Sequence, residues 1–346
     1  MSIPDSCSFS LPNAESTVHA GASLAHTLYR MPLTLLLRGE LGAGKTTFFQ
    51  GFAQGLGVHA HVMSPTFALE QRYATRELGE LLHIDLYRLH ASQARELLAA
   101  TDDHRGIRCI EWPERLEMET EAVFPDAVSV SLSDEPPSSR GKDGRLITVD
   151  FRDIPLPTLQ EIAQWRTDVL LPTRIIAHSH TVGLFAKALA VALWGRHTIA
   201  RPATLLAAGE LHDLLRFVDF RALPHTRLFT PTPEQEERWT QWRKRYAGLT
   251  HEEAAATFLR EKGFAALGEI VSSHGLRLPS PSRITTEQKV LFYADKRVQE
   301  DAVVSLRARF DDFRNRYGEN DRAASKEWFE EAKRLEQELF PDGVPY

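Results

Sequence analysis

Residues 39 to 46, Gly39-Glu40-Leu41-Gly42-Ala43-Gly44-Lys45-Thr46, match the spacing GxxxxGK[ST] and follow the apolar run LTLLL. These residue types suit phosphate. Glycines let the backbone curl until several N–H groups face one point, and a helix starting there adds the positive end of its dipole. Lys45 then reaches the outer phosphates and the Thr46 hydroxyl is offered to Mg²⁺. A bare turn would need neither. Two carboxylates fall at predicted strand ends: Asp85 in HIDLYR, placed to hold a metal through water, and Glu111 in CIEWPE, which ends a very apolar strand. SPTF, residues 64 to 67, reads as a loop able to sense a terminal phosphate through Thr66.

A second set of chemical residues lies further on. Residues 160 to 346 hold half of the chain's 14 histidines. Ile175, His178, Val182, Phe185 and Leu189 share one helical face, which aims His178 inward, while His180 is rotated off that face. Leu205, Ala208 and His212 share another face, with Asp213 adjacent; His274 follows Ile270 by four and Asp295 follows Leu291 by four. One core histidine is ordinarily a hydrogen-bonded structural residue. Four helical segments each sending a His or Asp inward are different, because unpartnered burial would cost about several kcal/mol. A divalent metal such as Fe, Mn, Co or Zn resolves that cost with imidazole and carboxylate ligands. His251 and His274 offer ligands for a second ion, or else are a surface histidine at a helix start and a loop histidine. Arg216 stands either near a substrate phosphate or in a surface ion pair.

The elements that must position these groups divide the chain. Up to about residue 150, strand-like and helix-like segments alternate. ESTVHAGASLAHTLYR, KTTFFQGFAQGLG and RELLAA read as helices, Gly57 stopping the second; LTLLLR, FALEQRYA, LLHIDLYRL, GIRCIEWP, AVSVSL and RLITVDF read as strands. The last two flank a polar loop at residues 134 to 144. This order predicts an α/β domain over residues 1–155. DIPLPTLQ reads as a proline-bearing linker. HTVGLFAKALAVALW, ATLLAAGELHDLL, HEEAAATFLREKG, EQKVLFYADKRVQEDAVVSLRARF and SKEWFEEAKRLEQEL predict an all-α domain over residues 156–346. PEQEERWTQWRKRYAG reads as a solvated helix or an insertion covering the second site. There is no internal repeat.

Composition agrees with two globular domains: 346 residues, 42% hydrophobic and 25% charged. A net charge of −6 gives no global basic footprint, which argues against a bulk nucleic-acid binder. Cys7 and Cys109 are far apart in sequence, as expected in a reducing compartment. The start lacks a basic n-region and an apolar h-region, and no apolar run approaches membrane-spanning length, so the expectation is a cytoplasmic protein without a membrane span.

GELGAGKTT, SPTF, HIDLYRL and IEWPE, in that order and spacing, resemble the small bacterial TsaE (YjeE) ATPases over about residues 8 to 150. The resemblance implies a P-loop ATPase using ATP and Mg²⁺. Its ATP cycle would reset TsaD and TsaB homologues as they place threonylcarbamoyl on adenosine 37 of tRNA, the tRNA being met through those partners. It implies that Gly39 to Thr46 and Thr47 cradle phosphate, Thr46 and Asp85 serve Mg²⁺, Thr66 lies in a switch-like loop, and Glu111 orders water beside the γ-phosphate. It also implies that Trp112 packs near the site.

HSHTV, ELHDLLR and YADKRV resemble the start, centre and end of the HD-domain metal phosphohydrolases over about residues 170 to 300. That resemblance implies His178, His212, Asp213 and Asp295 as core ligands, with Asp213 central to catalysis. His251 in THEEAAA and His274 in SSHGL look like the two-metal subgroup, which includes YqeK-type enzymes acting on diadenosine tetraphosphate. Two ions there would clamp a phosphate oxygen and activate water. The leading expectation is therefore a bifunctional protein: an ATPase for tRNA modification, and a hydrolase of a nucleotide or diadenosine polyphosphate. Two alternatives stand beside it. The second half is a non-catalytic sensor regulating the ATPase, or the first half is a small-molecule kinase, for which no acceptor lid is evident.

Overall fold

The computed structural model describes residues 5–134, 144–221, 230–277, 279–317 and 322–345. They form two compact units: Pro4–Ile154 with Leu193–Arg201, and Pro155–Ala192 with Pro202–Tyr346.

The first unit is built on a mixed sheet. Its strands are β1 (Asp5–Leu11), β2 (Leu33–Arg38), β3 (Glu70–Ala74), β4 (Glu80–Asp85), β5 (Ile107–Glu111), β6 (Val128–Asp134) and β7 (Arg145–Phe151), in the order β1-β7-β6-β2-β5-β4-β3. β2 runs parallel to β5 and β6, and β4 parallel to β5; β1, β7 and β3 are antiparallel to their neighbours. The helices are α1 (Ala14–Leu24), α2 (Lys45–Gly55), α3 (Ala91–Ala99) and the single turn α4 (Thr120–Val123). β2 is apolar throughout because it is covered on both faces: Leu35 and Leu37 join Phe48, Phe49 and Phe52 of α2, while Leu36 joins Leu82, Ile84 and Leu98. The register sets Glu111 opposite Leu37 on one side and Asp85 on the other, so both acids end strands beside the loop that leaves β2.

Two features depart from the sequence reading. β1 was not anticipated, although CSFSL alternates buried Cys7, Phe9 and Leu11 with exposed Ser8 and Ser10. The linker expected at DIPLPTLQ starts in the interior: Asp153 is fully buried and pairs with fully buried Arg201 through two bonds of 2.7 and 2.8 Å. Arg201 also donates to the Thr27 carbonyl and lies over the Phe151 ring. Ile199 belongs to the same core cluster, and its N–H donates to Ser23. The polar loop at residues 134 to 144 lies, apart from its ends, outside the described residues.

The second unit is helical: α5 (Leu159–Asp168), α6 (Thr173–Trp194), α7 (Pro202–Leu211), α8 (Pro233–Arg245), α9 (His251–Glu261), α10 (Ala265–Ser272), α11 (Thr286–Asp295), α12 (Leu306–Tyr317) and α13 (Arg322–Leu339). The long helix expected through YADKRV is broken. α11 stops at Asp295, and a small hairpin, β8 (Val298–Gln299) and β9 (Ala302–Val303), separates it from α12. Gly183 and Gly209 let α6 and α7 touch backbone to backbone, for a Cβ on Gly209 would stand 2.3 Å from the Gly183 Cα. By length and composition α6 could cross a membrane, contrary to the expectation from apolar runs. Its Val182, Ala186, Leu189 and Ala190 are instead fully buried within the fold.

The Asp153–Arg201 pair gives a stability test. Asp153→Ala takes away the carboxylate that binds buried Arg201 through two bonds, which is expected to cost about 3–5 kcal/mol. Replacing both by apolar residues, Asp153→Leu with Arg201→Met, is expected to recover most of that loss. Urea midpoints of the full chain followed by circular dichroism measure both; equal loss in the single and double variants would contradict the ion-pair account.

Candidate functional sites

The first site is formed where β2, β4 and β5 end. Gly39, Gly42 and Gly44 all have positive φ, at 136°, 85° and 99°, and the chain turns through them into α2. Lys45 opens that helix. Its ammonium donates to the carbonyls of Gly39 at 2.7 Å and Glu40 at 3.0 Å, and stands 3.7 Å from the centre of the Trp112 ring. Burial pushes the Lys45 pKa down, opposed first by Glu111, then by Glu114, Asp85 and Glu40. The lysine is thus an enclosed cation facing acids, with two donors folded onto its own loop. Thr46 and Thr47 follow on α2, half-buried.

Asp85 is held from the SPTF loop. Thr66 donates to its Oδ2 at 2.6 Å and Ser64 to the same oxygen at 3.2 Å, while the Tyr87 N–H donates to Oδ1 at 2.9 Å. Glu111 is buried, with its Oε1 2.9 Å from His83 Nε2. Trp112 has φ 59°, a left-handed conformation costly for an aromatic residue, and this turns its ring over Lys45. Lys45, Asp85, Thr66 and Glu111 therefore converge, and a nucleotide phosphate with Mg²⁺ is what glycine-loop donors, an ammonium and acids at this edge suit.

The second site gathers groups from the ends of helices. His178 projects from within α6; His212 and Asp213 lie in the turn just past α7, not inside a helix as the periodicity predicted; His251 opens α9; His274 follows α10; Asp295 ends α11. His178 Nε2 is 3.2 Å from Asp295 Oδ1, and His212 Nε2 is 3.7 Å from both Asp295 Oδ1 and Asp213 Oδ2. On the far side of Asp213, its Oδ1 lies 3.2 Å from His251 Nε2 and 3.8 Å from His274 Nε2, and those two nitrogens are 3.2 Å apart. Asp213 thus stands between two sets of donors. The other ring nitrogens are fixed by backbone: His178 by the Glu300 carbonyl, His212 by Gly209 and His274 by Val271. That leaves each Nε2 pointing inward, and His212 Nε2 is buried with no hydrogen-bond partner.

The electrostatics agree with a cation-binding cluster. Burial works against charge on Asp213 and Asp295. His212, His251 and His274 nevertheless hold Asp213 well below the usual carboxylate range, and Lys296, His178 and His212 do so for Asp295. Burial pushes His274 down, with its neighbours His212 and His251 adding to the effect. Burial opposes charge on His212 as well, yet Asp213 and Asp295 draw it upward. Ionised acids around inward imidazoles, one with a bare nitrogen, suit a divalent ion in each donor set. Donor atoms of His178, His212 and Asp295 lie within 4.8 Å of one another, as do those of His212, Asp213 and His274, and of His251, Glu252 and His274.

Three participants were missed. His83 was legible, being two residues before Asp85 and so on the same strand face. Glu252 is buried beside His251 Nδ1 at 3.3 Å, and its Oε2 has no hydrogen-bond partner; only its adjacency to His251 hinted at it. Asp219 bonds His251 Nδ1 from the turn Arg216–Arg221 and had no sequence signal. Arg216 reaches this same corner, 3.0 Å from Asp219 and 3.9 Å from Asp213. His180 is largely exposed and bonds Glu210 instead of the cluster. α8 packs by a buried Trp239 stacked on Phe217.

Comparison with known proteins gives matches in each half. The family model described as threonylcarbamoyl adenosine biosynthesis protein TsaE matches residues 11–141, and the HD domain model matches residues 175–298. The tRNA threonylcarbamoyladenosine biosynthesis protein TsaE of Synechocystis sp. is 38% identical over 117 residues, which cover 32% of this chain and 73% of that protein. The protein of the same name from Nostoc sp. is 37% identical over 121 residues, covering 34% and 74%. The crystal structure of Bacillus subtilis YdiB aligns with 44% of this chain and 89% of its own at 27% identity, with a TM-score of 0.34.

The position of Asp213 yields an expected order of metal loss. Asp213→Ala is expected to remove all bound divalent metal and His251→Ala only part of it, while His180→Ala leaves the content at the wild-type value. Elemental analysis of the full chain after loading with Mn, Fe, Co or Zn salts reads this directly. Unchanged metal in Asp213→Ala would refute the shared-carboxylate geometry.

Proposed function

We propose two activities for this chain, which belongs to the TsaE family through residues 11–141 and carries an HD domain over residues 175–298. The first is a Mg²⁺-dependent ATPase that supports threonylcarbamoylation of tRNA together with TsaD and TsaB homologues. The second is a metal-dependent phosphohydrolase acting on a nucleotide or dinucleotide. Both are assigned to the cytoplasm. The observation that carries the first is the convergence of Lys45, Asp85 and Glu111 on the glycine loop. The one that carries the second is the pair of donor sets joined by Asp213, with a bare His212 Nε2 facing inward.

In the ATPase, the N–H groups of residues 39–46 and the Lys45 ammonium orient the phosphates and meet the charge that grows on them. Thr46 and Asp85 would hold Mg²⁺, which would supply countercharge to the phosphates. The Thr66 and Ser64 hydroxyls bond the Asp85 carboxylate, so a cation held there would compete with them and the SPTF loop would respond to what is bound. Glu111 orients the attacking water. Trp112 lies over Lys45 and excludes solvent there. With a net charge of −6 the chain itself is a poor tRNA ligand, so tRNA contact falls to the partners.

In the HD half, bound divalent ions would polarise a phosphate oxygen and activate water. His178, His212, Asp213 and Asp295 would hold one ion; Asp213, His251 and His274 the other. Arg216 stands at the rim of the second donor set, able to meet a substrate phosphate.

The two activities are expected to separate by mutation. Lys45→Ala should abolish ATP turnover measured with TsaD and TsaB homologues present, leaving hydrolysis of diadenosine polyphosphates by the metal-loaded chain unchanged. Asp213→Ala should do the reverse. Undiminished ATP turnover in Lys45→Ala would overturn the first assignment. Metal binding without hydrolysis of any nucleotide tested would overturn the second in favour of a non-catalytic sensor.

A further inference from the structure

His83 is fully buried on β4 and its Nε2 is 2.9 Å from Glu111 Oε1. The sheet explains the meeting. His83 pairs in register with Cys109, Glu111 lies two residues further along β5 on the same face, and Asp85 lies two residues beyond His83. The imidazole is clamped from the other side by Phe49, whose ring stacks on it with centroids 3.7 Å apart and planes at 28°. Phe49 stands one turn after Lys45 on α2. A chain of contacts results, from the helix that Lys45 opens through Phe49 and His83 to Glu111.

His83 Nδ1 is buried with no hydrogen-bond partner. A proton there would be a donor with nothing to meet, which costs more than a bare acceptor lone pair. The tautomer that fits carries its proton on Nε2 and donates it to Glu111. A carboxylate tied at one oxygen can no longer rotate freely, and its second oxygen is left for the phosphate loop. We propose that His83 is a positioning residue for the ATPase: through this hydrogen bond, and the Phe49 stack behind it, it sets which oxygen of Glu111 faces the terminal phosphate and the attacking water. The inference rests on the ATPase reading above. It assigns His83 an effect on turnover, not on nucleotide binding, since His83 contacts neither the glycine loop nor Lys45.

The test uses the full chain with TsaD and TsaB homologues, measuring steady-state ATP hydrolysis and the binding of a fluorescent ATP analogue. His83→Leu keeps apolar volume against Phe49 and removes the donor. It is expected to lower kcat about 10- to 100-fold, the scale of a misplaced catalytic group, with KM and analogue affinity changed less than about twofold. His83→Gln, whose amide can place a donor near the Nε2 position, is expected to restore most of kcat. In a Glu111→Gln background, His83→Leu is expected to add less than about a twofold further loss, because the two changes break one unit. Phe49→Leu loosens the stack without touching the donor, and its smaller kcat loss at unchanged KM keeps the test open should His83→Leu fold poorly. Lys45-dependent turnover indifferent to His83→Leu would overturn this inference alone. So would equal losses in the Leu and Gln variants, or a full additional loss in the Glu111→Gln background. Absence of any Lys45-dependent turnover in the wild type would overturn the ATPase reading and this inference with it.

Discussion

A charge taken out of water must be met by another charge or by a hydrogen-bonding partner, and the architecture of each half follows from meeting that demand. Lys45, Asp85 and Glu111 are all buried in the α/β unit, and His212, His251, His274, Asp295 and Lys296 in the helical one. None of these is a group that folding alone would place inside. Each persists because the backbone around it brings up a partner at hydrogen-bond distance, and the fold can be understood as the scaffold that does so.

The units meet the demand by different means. In the sheet, strand register does the work. Parallel pairing of β4 and β5 fixes Asp85 beside Glu111, and the two-residue period of a strand puts His83 on the same face one step back. Strand register thus sets where the acids stand, and the SPTF hydroxyls, which bond Asp85, together with the phosphate loop are placed to answer a ligand. In the helical unit no ladder is available, and apart from His178, within α6, the ligands come from helix ends and the turns after them. There, carbonyls left over by the helix bond the outer nitrogens of His212 and His274 and so aim the inner ones. The close approach of α6 to α7 at Gly183 and Gly209 brings the His178 side of the cluster within reach of His212. One carboxylate, Asp213, is then enough to join the two donor sets.

What the sequence made legible follows from the same physics. Local patterns were readable because they are set by adjacent residues: the glycine loop, the apolar runs of β2 and β5, and the helical faces that aimed His178 and Asp295 inward. Relations between distant segments were not. Nothing near Asp153 announces that Arg201 will meet it in the core, so a buried ion pair was read as the start of a linker. Asp219 reaches His251 only through a turn whose geometry no periodicity encodes. His83 lies between these cases. Its strand face could be counted from Asp85, but its partner, Glu111, is 28 residues away, and only the parallel register joins them. The helix expected through Asp295 failed for another reason. Apolar spacing continues past the point where the chain turns into a hairpin, so periodicity fixed the face and not the end.

Several charged groups in each site are bonded by the chain itself. Lys45 bonds its own loop, Asp85 is capped by Thr66 and Ser64, and His251 is engaged by Asp219. A ligand must displace these bonds before it gains its own. A hydrogen bond to a charged group is worth roughly 1.5–3 kcal/mol, so each displaced contact lowers apparent affinity by about ten- to a hundredfold unless the newcomer replaces it in kind. A phosphate oxygen can replace a carbonyl at Lys45, and a divalent cation can replace a hydroxyl proton at Asp85. A neutral polar molecule can do neither as well. Self-pairing therefore acts as a filter. It favours ligands that bring opposite charge at high density, which phosphate and divalent metal share.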